Sequence, residues 1–367
     1  MFPLLLLFFS CALCAFNFVN SDDDSSDLSS TEQMLLPTTG KSRVFVQPRQ
    51  YATACADRHV VTNVSLVNVV SGSPGRYVDV RSLGHGVGGA LMYSAVDRGT
   101  NRPVVLKMLA ASTTVENVQR ELLMLAQVAH VPDAQHLHDV LLDPHGPPTL
   151  VFEQFPIESF ATVLARLTLA DVRVYAKRLL RLLDAIHSRC IIHGSIAAST
   201  VQISLAESSL TVTAWASARH YLPKTKNSIS RSEHPSSAPE FLFAVRGYAY
   251  GVDLWCAGVL LLEFLTNKPI FVASTVREQA TMVAHFAGKA AFDKFVEKYK
   301  LELDPTWSEP LWKKAGSTTG TDVAALVDES GRFAAADCTD VINVVTQLLQ
   351  LDSDARMTAQ QAIDALQ

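Results

Sequence analysis

The chain has 367 residues, 48% of them hydrophobic, with a formal net charge of −5 and a pI near 6.1. That balance supplies enough apolar surface for a large core. It excludes the basic footprint that binding to nucleic acid or to an anionic membrane surface requires.

Leu4, Leu5, Leu6, Leu7, Phe8 and Phe9 begin an apolar run that continues to about Phe16. The run is too short to span a bilayer. Small residues lie within it at Ala12, Cys14 and Ala15, and an acidic, Ser-rich stretch follows. This order predicts a secretory signal peptide over residues 1–16, although no Lys or Arg precedes the apolar run; the alternative is a short membrane anchor. The remainder is expected to be lumenal or extracellular. Residues 17–50 read as a disordered leader, and residues 51–76 as an N-terminal extension closed by Ser71-Gly72-Ser73-Pro74-Gly75. Residues 20–76 hold only Arg43, Arg49, Arg58 and Arg76 as arginines, without a basic stripe at helical spacing, so no membrane-binding helix is expected.

Cys11 and Cys14 leave with the signal, while Cys55, Cys190, Cys256 and Cys338 remain, an even set compatible with an oxidising compartment. The sequence does not choose among their pairings. Cys190 and Cys256 sit in apolar stretches and are expected to be buried small hydrophobes. Asn63-Val64-Ser65 is a glycosylation sequon.

Residues 77–95 predict two strands around Gly84-x-Gly86-x-x-Gly89, and residues 103–109 predict a third. Thr113-x-x-Glu116 has the form of a capping box, and Val118, Leu122 and Leu125 follow on one helical face. Residues 137–142 and 149–153 are strand-like. From Leu169 the period becomes helical, with Val172, Ala176, Leu179, Leu183 and Ile186 on one face, and a second apolar helix covers residues 252–265. Strands come first and helices afterwards. The expected fold is therefore α+β with a β-rich N-lobe over residues 77–153 and a helical C-lobe over residues 154–367.

Read in order, these landmarks resemble the protein kinase fold. Val104-Val105-Leu106-Lys107 follows the glycines, and Glu121 lies on the next helix, where the family places the partner of its lysine. Val151-Phe152-Glu153 resembles the linker between lobes. His193-Gly194-Ser195 stands at the catalytic loop and Ala214-Trp215-Ala216 at the metal-binding turn. Ala238-Pro239-Glu240 closes the activation segment, Asp253-Leu254-Trp255-x-x-Gly258 opens the large helix, and Arg356 stands where the family pairs an arginine with that glutamate.

The resemblance also implies what is replaced. Phosphoryl transfer in this family uses an Asp that accepts the substrate proton, and an Asn and a second Asp that hold Mg²⁺. Here those positions are Ser195, Thr200 and Ala214, and Ala197 stands where a Lys is usual. Losing a positioned base costs roughly 10²–10⁴ in rate. Val105 crowds the roof of the adenine slot, and Gln202 puts an amide on its floor. Gly84, Gly86, Gly89, Lys107 and Glu121 are vestigial nucleotide-binding candidates, with Lys107 and Glu121 favoured as a structural pair. No metal ligand and no cofactor is expected. Glu240 with Arg356, Asp253, and His193 with Trp215 and Leu125 are expected to hold the fold.

The signal, the leader, the extension and the His-Gly-x loop resemble the rhoptry-type kinases and pseudokinases of coccidian parasites. That group carries His-Gly-Asp where this chain has His193-Gly194-Ser195. The resemblance implies a secreted pseudokinase, not an enzyme, that binds or scaffolds proteins in a vacuole or cyst wall, with an active kinase or wall components as partners and no nucleic acid. One rival is an ATP-binding pseudokinase without transfer. Another is an atypical nucleotide-dependent transferase drawing on Glu207 or Asp171, both read as lying off the cleft.

Overall fold

The computed structural model describes residues 37–39, 72–86, 89–142, 147–155, 158–221, 237–245, 249–313 and 318–366. The expected signal peptide, nearly all of the leader and extension, Cys55 and Asn63 lie outside them. Five antiparallel strands form the first layer: β1 (Tyr77–His85), β2 (Leu91–Asp97), β3 (Arg102–Met108), β4 (Leu137–Leu141) and β5 (Thr149–Glu153), in the order β1-β2-β3-β5-β4. Side chains alternate across β3. Val104 and Leu106 pack with Tyr77, Ala95 and Val151 on one face. Val105 and Lys107 therefore point to the other.

That second face receives helix α1 (Val115–Val128), whose Leu123, Met124, Leu125 and Val128 are buried. The helix starts one residue later than the capping-box reading places it. Thr114 is the N-cap and its hydroxyl accepts the Asn117 N–H, while Thr113 lies in the preceding turn with its N–H donated to Ala110 O.

The helical lobe begins with α2 (Phe160–Arg166) and α3 (Leu169–His187). Thr168 and Asp171 cap α3 reciprocally, and its apolar stripe is buried. The short strands β6 (Ile191–Ile192), β7 (Val201–Ser204), β8 (Ser209–Val212) and β9 (Arg219–His220) frame the loops beneath the sheet, followed by α4 (Pro239–Leu242). Helix α5 (Gly251–Thr266) is buried nearly all round and forms the axis of the lobe. Around it lie α6 (Val276–Ala287), α7 (Lys289–Tyr299), α8 (Pro305–Leu311), α9 (Val323–Ser330), α10 (Thr339–Leu348) and α11 (Ala359–Ala365). Helices α5 and α10 approach closely at Gly258, where a Cβ would meet Leu348 Cβ at 2.9 Å. The architecture is the expected α+β bilobal fold.

One cysteine expectation is corrected. Cys190 is disulfide-bonded, whereas Cys256 and Cys338 are buried thiols outside any disulfide. Helix α3 stops at His187, so Cys190 falls in a left-handed turn (φ 63°) rather than on an apolar helical face.

Candidate functional site

The register of the sheet aligns Gly84 of β1, Met92 of β2 and Lys107 of β3 in one row. The Gly84 and Gly89 backbones have positive φ, at 98° and 75°, which glycine tolerates. Gly86 N–H donates to Ala90 O at 2.8 Å, and a Cβ at Gly86 would press on Met92 Sδ at 2.9 Å. Lys107 Nζ reaches across to Glu121 Oε1 on α1 at 2.5 Å, with both residues buried. The two vestigial candidates on β3 and α1 are thus brought together as an ion pair that joins the helix to the sheet.

The catalytic-loop residues lie between β6 and β7. Asp253, at the start of α5, accepts the His193 N–H at 2.8 Å and the Gly194 N–H at 2.7 Å. Its third partner is His187 at 3.0 Å, a contact the sequence reading missed. The position of His187 on the buried face of α3, three residues before Cys190, was the available signal. Burial alone would push the Asp253 carboxyl up; the hydrogen bond from His187, the nearby His193 and the Gly194 N–H outweigh it and hold the carboxyl below the usual range.

Thr200 is fully buried. Its hydroxyl donates to Ser195 O at 2.6 Å and accepts the Ala197 N–H at 3.0 Å. The Thr200 hydroxyl is therefore spent on bracing the loop. Thr200 O accepts from Thr213 N–H at 2.8 Å, which ties the loop to the turn carrying Ala214. Ala214 stands in the left-handed region, φ 68° and ψ 45°. Trp215 follows it, donates its indole N–H to Val212 O at 3.0 Å and meets His193 edge to face at 4.8 Å. Arg120 of α1 reaches Ala216 O at 3.5 Å, and Gln127 meets His220 at 2.7 Å. Burial drops the His220 pKa to about 4, so this ring is neutral at physiological pH.

Val105 and Gln202 are both half-buried, on β3 and β7. Asp171 is consumed in the α3 cap, and Glu207 lies in the exposed turn between β7 and β8, so neither is brought to the loop. Below the site, Arg356 grips Glu240 with Nη1–Oε1 2.7 Å and Nη2–Oε2 3.0 Å. Among the described residues no group of three His, Cys, Asp or Glu side chains is placed to hold a metal ion, and no helix is long and apolar enough to cross a membrane.

Chemically, Lys107 can meet a phosphate only by sharing its charge with Glu121. Ser195, Thr200 and Ala214 offer hydroxyls and a methyl where the family's usual site offers carboxylates and an amide.

The protein kinase domain family matches residues 77–366. The casein kinase II subunit alpha' of Saccharomyces cerevisiae is 26% identical over 331 residues, covering 88% of this chain and 94% of the relative. This likeness corrects the expectation that the chain is not an enzyme: a protein-kinase subunit aligned along nearly its whole length points to a kinase. Ser195, Thr200 and Ala214 describe how the site departs from the Asp, Asn and Asp pattern; they do not by themselves exclude catalysis. The likeness reaches the protein kinase domain and a distant kinship with a casein kinase II subunit. On the match over residues 77–366, the chain belongs to the protein kinase domain family.

Proposed function

We propose that this kinase-domain protein works chiefly by binding, as a scaffold or allosteric partner of another protein. The observation that carries the reading is the division of labour in the site. The groups that hold the kinase shape are in place: Lys107 with Glu121, Asp253 under the loop, and Arg356 with Glu240. The groups that would bring in Mg²⁺ and a base are exchanged for residues that brace the backbone, above all Thr200. A binding role of this kind is compatible with whatever phosphoryl transfer the site supports. In this reading residues 195, 200 and 214 recruit no divalent ion, and Mg²⁺-ATP is not a required ligand.

We further propose a secreted location, in a vacuole or wall of the rhoptry-type setting. The disulfide at Cys190 favours it, since structural disulfides persist in oxidising compartments. Within that group the proposed likeness is to the bradyzoite pseudokinase of Toxoplasma.

The role is tested by rescue in cells that lack the endogenous protein. The doubly apolar variant Lys107→Met/Glu121→Leu removes the phosphate-facing cation and keeps the sheet–helix contact. A folded variant that rescues as well as wild type supports binding. A folded variant that fails to rescue overturns it.

A further inference from the structure

Two adjoining depressions on the helical lobe share Thr266, Lys268 and Ser330, and so form one cleft. None of the lining residues belongs to the site around Lys107, Ser195 and Ala214. The cleft opens between the end of α5, residues 268–271, α6 and α9. Its larger part, about 610 Å³, is lined by Ile270, Phe271, Met282, Phe286 and Leu326. Phe271 is buried against Trp255 and Phe286, while the other four are only half-buried and keep apolar surface open to the cleft. The smaller part, about 430 Å³, holds Lys268 and Arg332. Glu329, exposed on the larger part, is the one acidic side chain among the described lining residues.

Most polar groups along this cleft are already spent inside the protein. The Thr266 hydroxyl donates to Leu262 O at 2.8 Å, His285 Nε2 donates to Leu311 O at 2.8 Å, and the Ser330 hydroxyl donates to Val327 O at 2.6 Å. The backbone beside them is paired as well: Thr321 N–H donates to Phe286 O at 2.8 Å and Lys289 N–H to Thr318 O at 2.9 Å. The cations are different. Arg332 donates through Nη2 to the carbonyls of Leu164 and Leu167 at the end of α2, yet its Nε is buried without a hydrogen-bond partner. Burial pushes the pKa of this guanidinium down with no carboxylate to oppose it. Among the described residues neither Lys268 nor Arg332 forms an ion pair. A cation held this way is stabilised by an anion placed beside it.

These features select a ligand by exclusion. A peptide brings a backbone donor and acceptor at every residue, and the walls have few polar groups left to meet them. A neutral apolar molecule leaves Lys268 and Arg332 uncompensated. One anionic head on an apolar chain satisfies both parts at once, and the volume lies in the range of roughly 300–1,000 Å³ typical of ligand pockets. We propose that the cleft binds a free fatty carboxylate. The head sits in the smaller part with Lys268 and Arg332, and the chain runs along Ile270, Met282, Phe286 and Leu326.

Calorimetric titration of the full chain with sodium dodecanoate, kept below its micelle concentration, tests this. One saturable site is expected. Each methylene removed from the chain, down to octanoate, is expected to weaken binding by up to about fourfold. Dodecyltrimethylammonium, the same chain with the opposite head charge, is expected to bind at least about tenfold more weakly. Lys268 is exposed, so Lys268→Glu is expected to leave the unliganded melting temperature unchanged and to weaken dodecanoate at least about tenfold, whereas Lys268→Arg retains it. Met282→Gln leaves both cations in place and is expected to shrink the gain per methylene. A titration that does not saturate, equal affinity for dodecyltrimethylammonium, or indifference to Lys268→Glu overturns the proposal. Binding to phosphatidylglycerol vesicles, or self-association, that Lys268→Glu abolishes while free dodecanoate does not bind would give the cleft another occupant and overturn it too.

Discussion

Lys107 and Glu121 meet at 2.5 Å with both residues buried, so the sheet and the helix that packs on it are joined by a buried ion pair. Removing one member leaves the other charge buried and alone, which costs about 3–5 kcal/mol. Lys107→Ala is therefore expected to lower the urea midpoint strongly. Lys107→Met/Glu121→Leu is expected to recover most of the loss, because a well-packed apolar pair replaces both charges. Equal destabilisation in the single and double variants would show that the pair does not act as a unit.

Arg356 has five backbone and side-chain partners: both Glu240 oxygens and the carbonyls of Gly251, Gln350 and Leu351. A lysine cannot reproduce that fork. Arg356→Lys is expected to cost nearly as much stability as Arg356→Ala, about 3–5 kcal/mol, read from chemical denaturation. A near-neutral Arg356→Lys would mean that charge alone suffices there.

The stability of the lobe should depend on pH through Glu263. Burial raises its carboxyl to about 7, against a partial offset from the Ile270 N–H. The folded protein thus holds a proton that the unfolded chain gives up near the ordinary carboxylate value. The stability this group contributes is full below that value and is lost as pH rises to about 7, an effect of about 2–3 kcal/mol. Glu263→Gln is expected to raise the melting temperature at pH 8 by several degrees and to change little at pH 4.5. An equal shift at both pH values would contradict the assignment.

Ala214 occupies a left-handed conformation that a Cβ disfavours. Ala214→Gly is expected to stabilise the protein by about 0.5–1 kcal/mol, seen as a small rise in melting temperature. A loss of stability would mean that the methyl packs usefully against the loop.

Much of this site was legible in the sequence because it depends on spacing. The interval from the glycines to Lys107, the position of Glu121 on the next helix, and Ala238-Pro239-Glu240 with a distant Arg356 each report a contact that the fold makes. What the sequence did not show is where hydrogen bonds go. Thr200 reads as a lost metal ligand, and only coordinates reveal its hydroxyl bracing Ser195 O. Cys190 reads as apolar helix because nothing nearby marks the end of α3, yet it sits in a left-handed turn and is disulfide-bonded. The pairing of residues 37–39 with Leu303 joins segments far apart in the chain, and no periodicity announces it. The absence of the family's Asp, Asn and Asp at positions 195, 200 and 214 invited the conclusion that the chain is no enzyme. The likeness to a casein kinase II subunit corrects that step, since a missing residue type is a weaker statement than a family relationship along most of the chain.

The most direct test of the proposal that residues 195, 200 and 214 recruit no divalent ion is the melting temperature of the full chain with ATP, with and without Mg²⁺. A ligand at 100 times its dissociation constant adds about 2.7 kcal/mol, which is several degrees for a domain of this size. With Ser195, Thr200 and Ala214 in the site, Mg²⁺ is expected to add no shift at any ATP concentration. A Mg²⁺-dependent rise of several degrees, lost in Lys107→Met/Glu121→Leu, would contradict it.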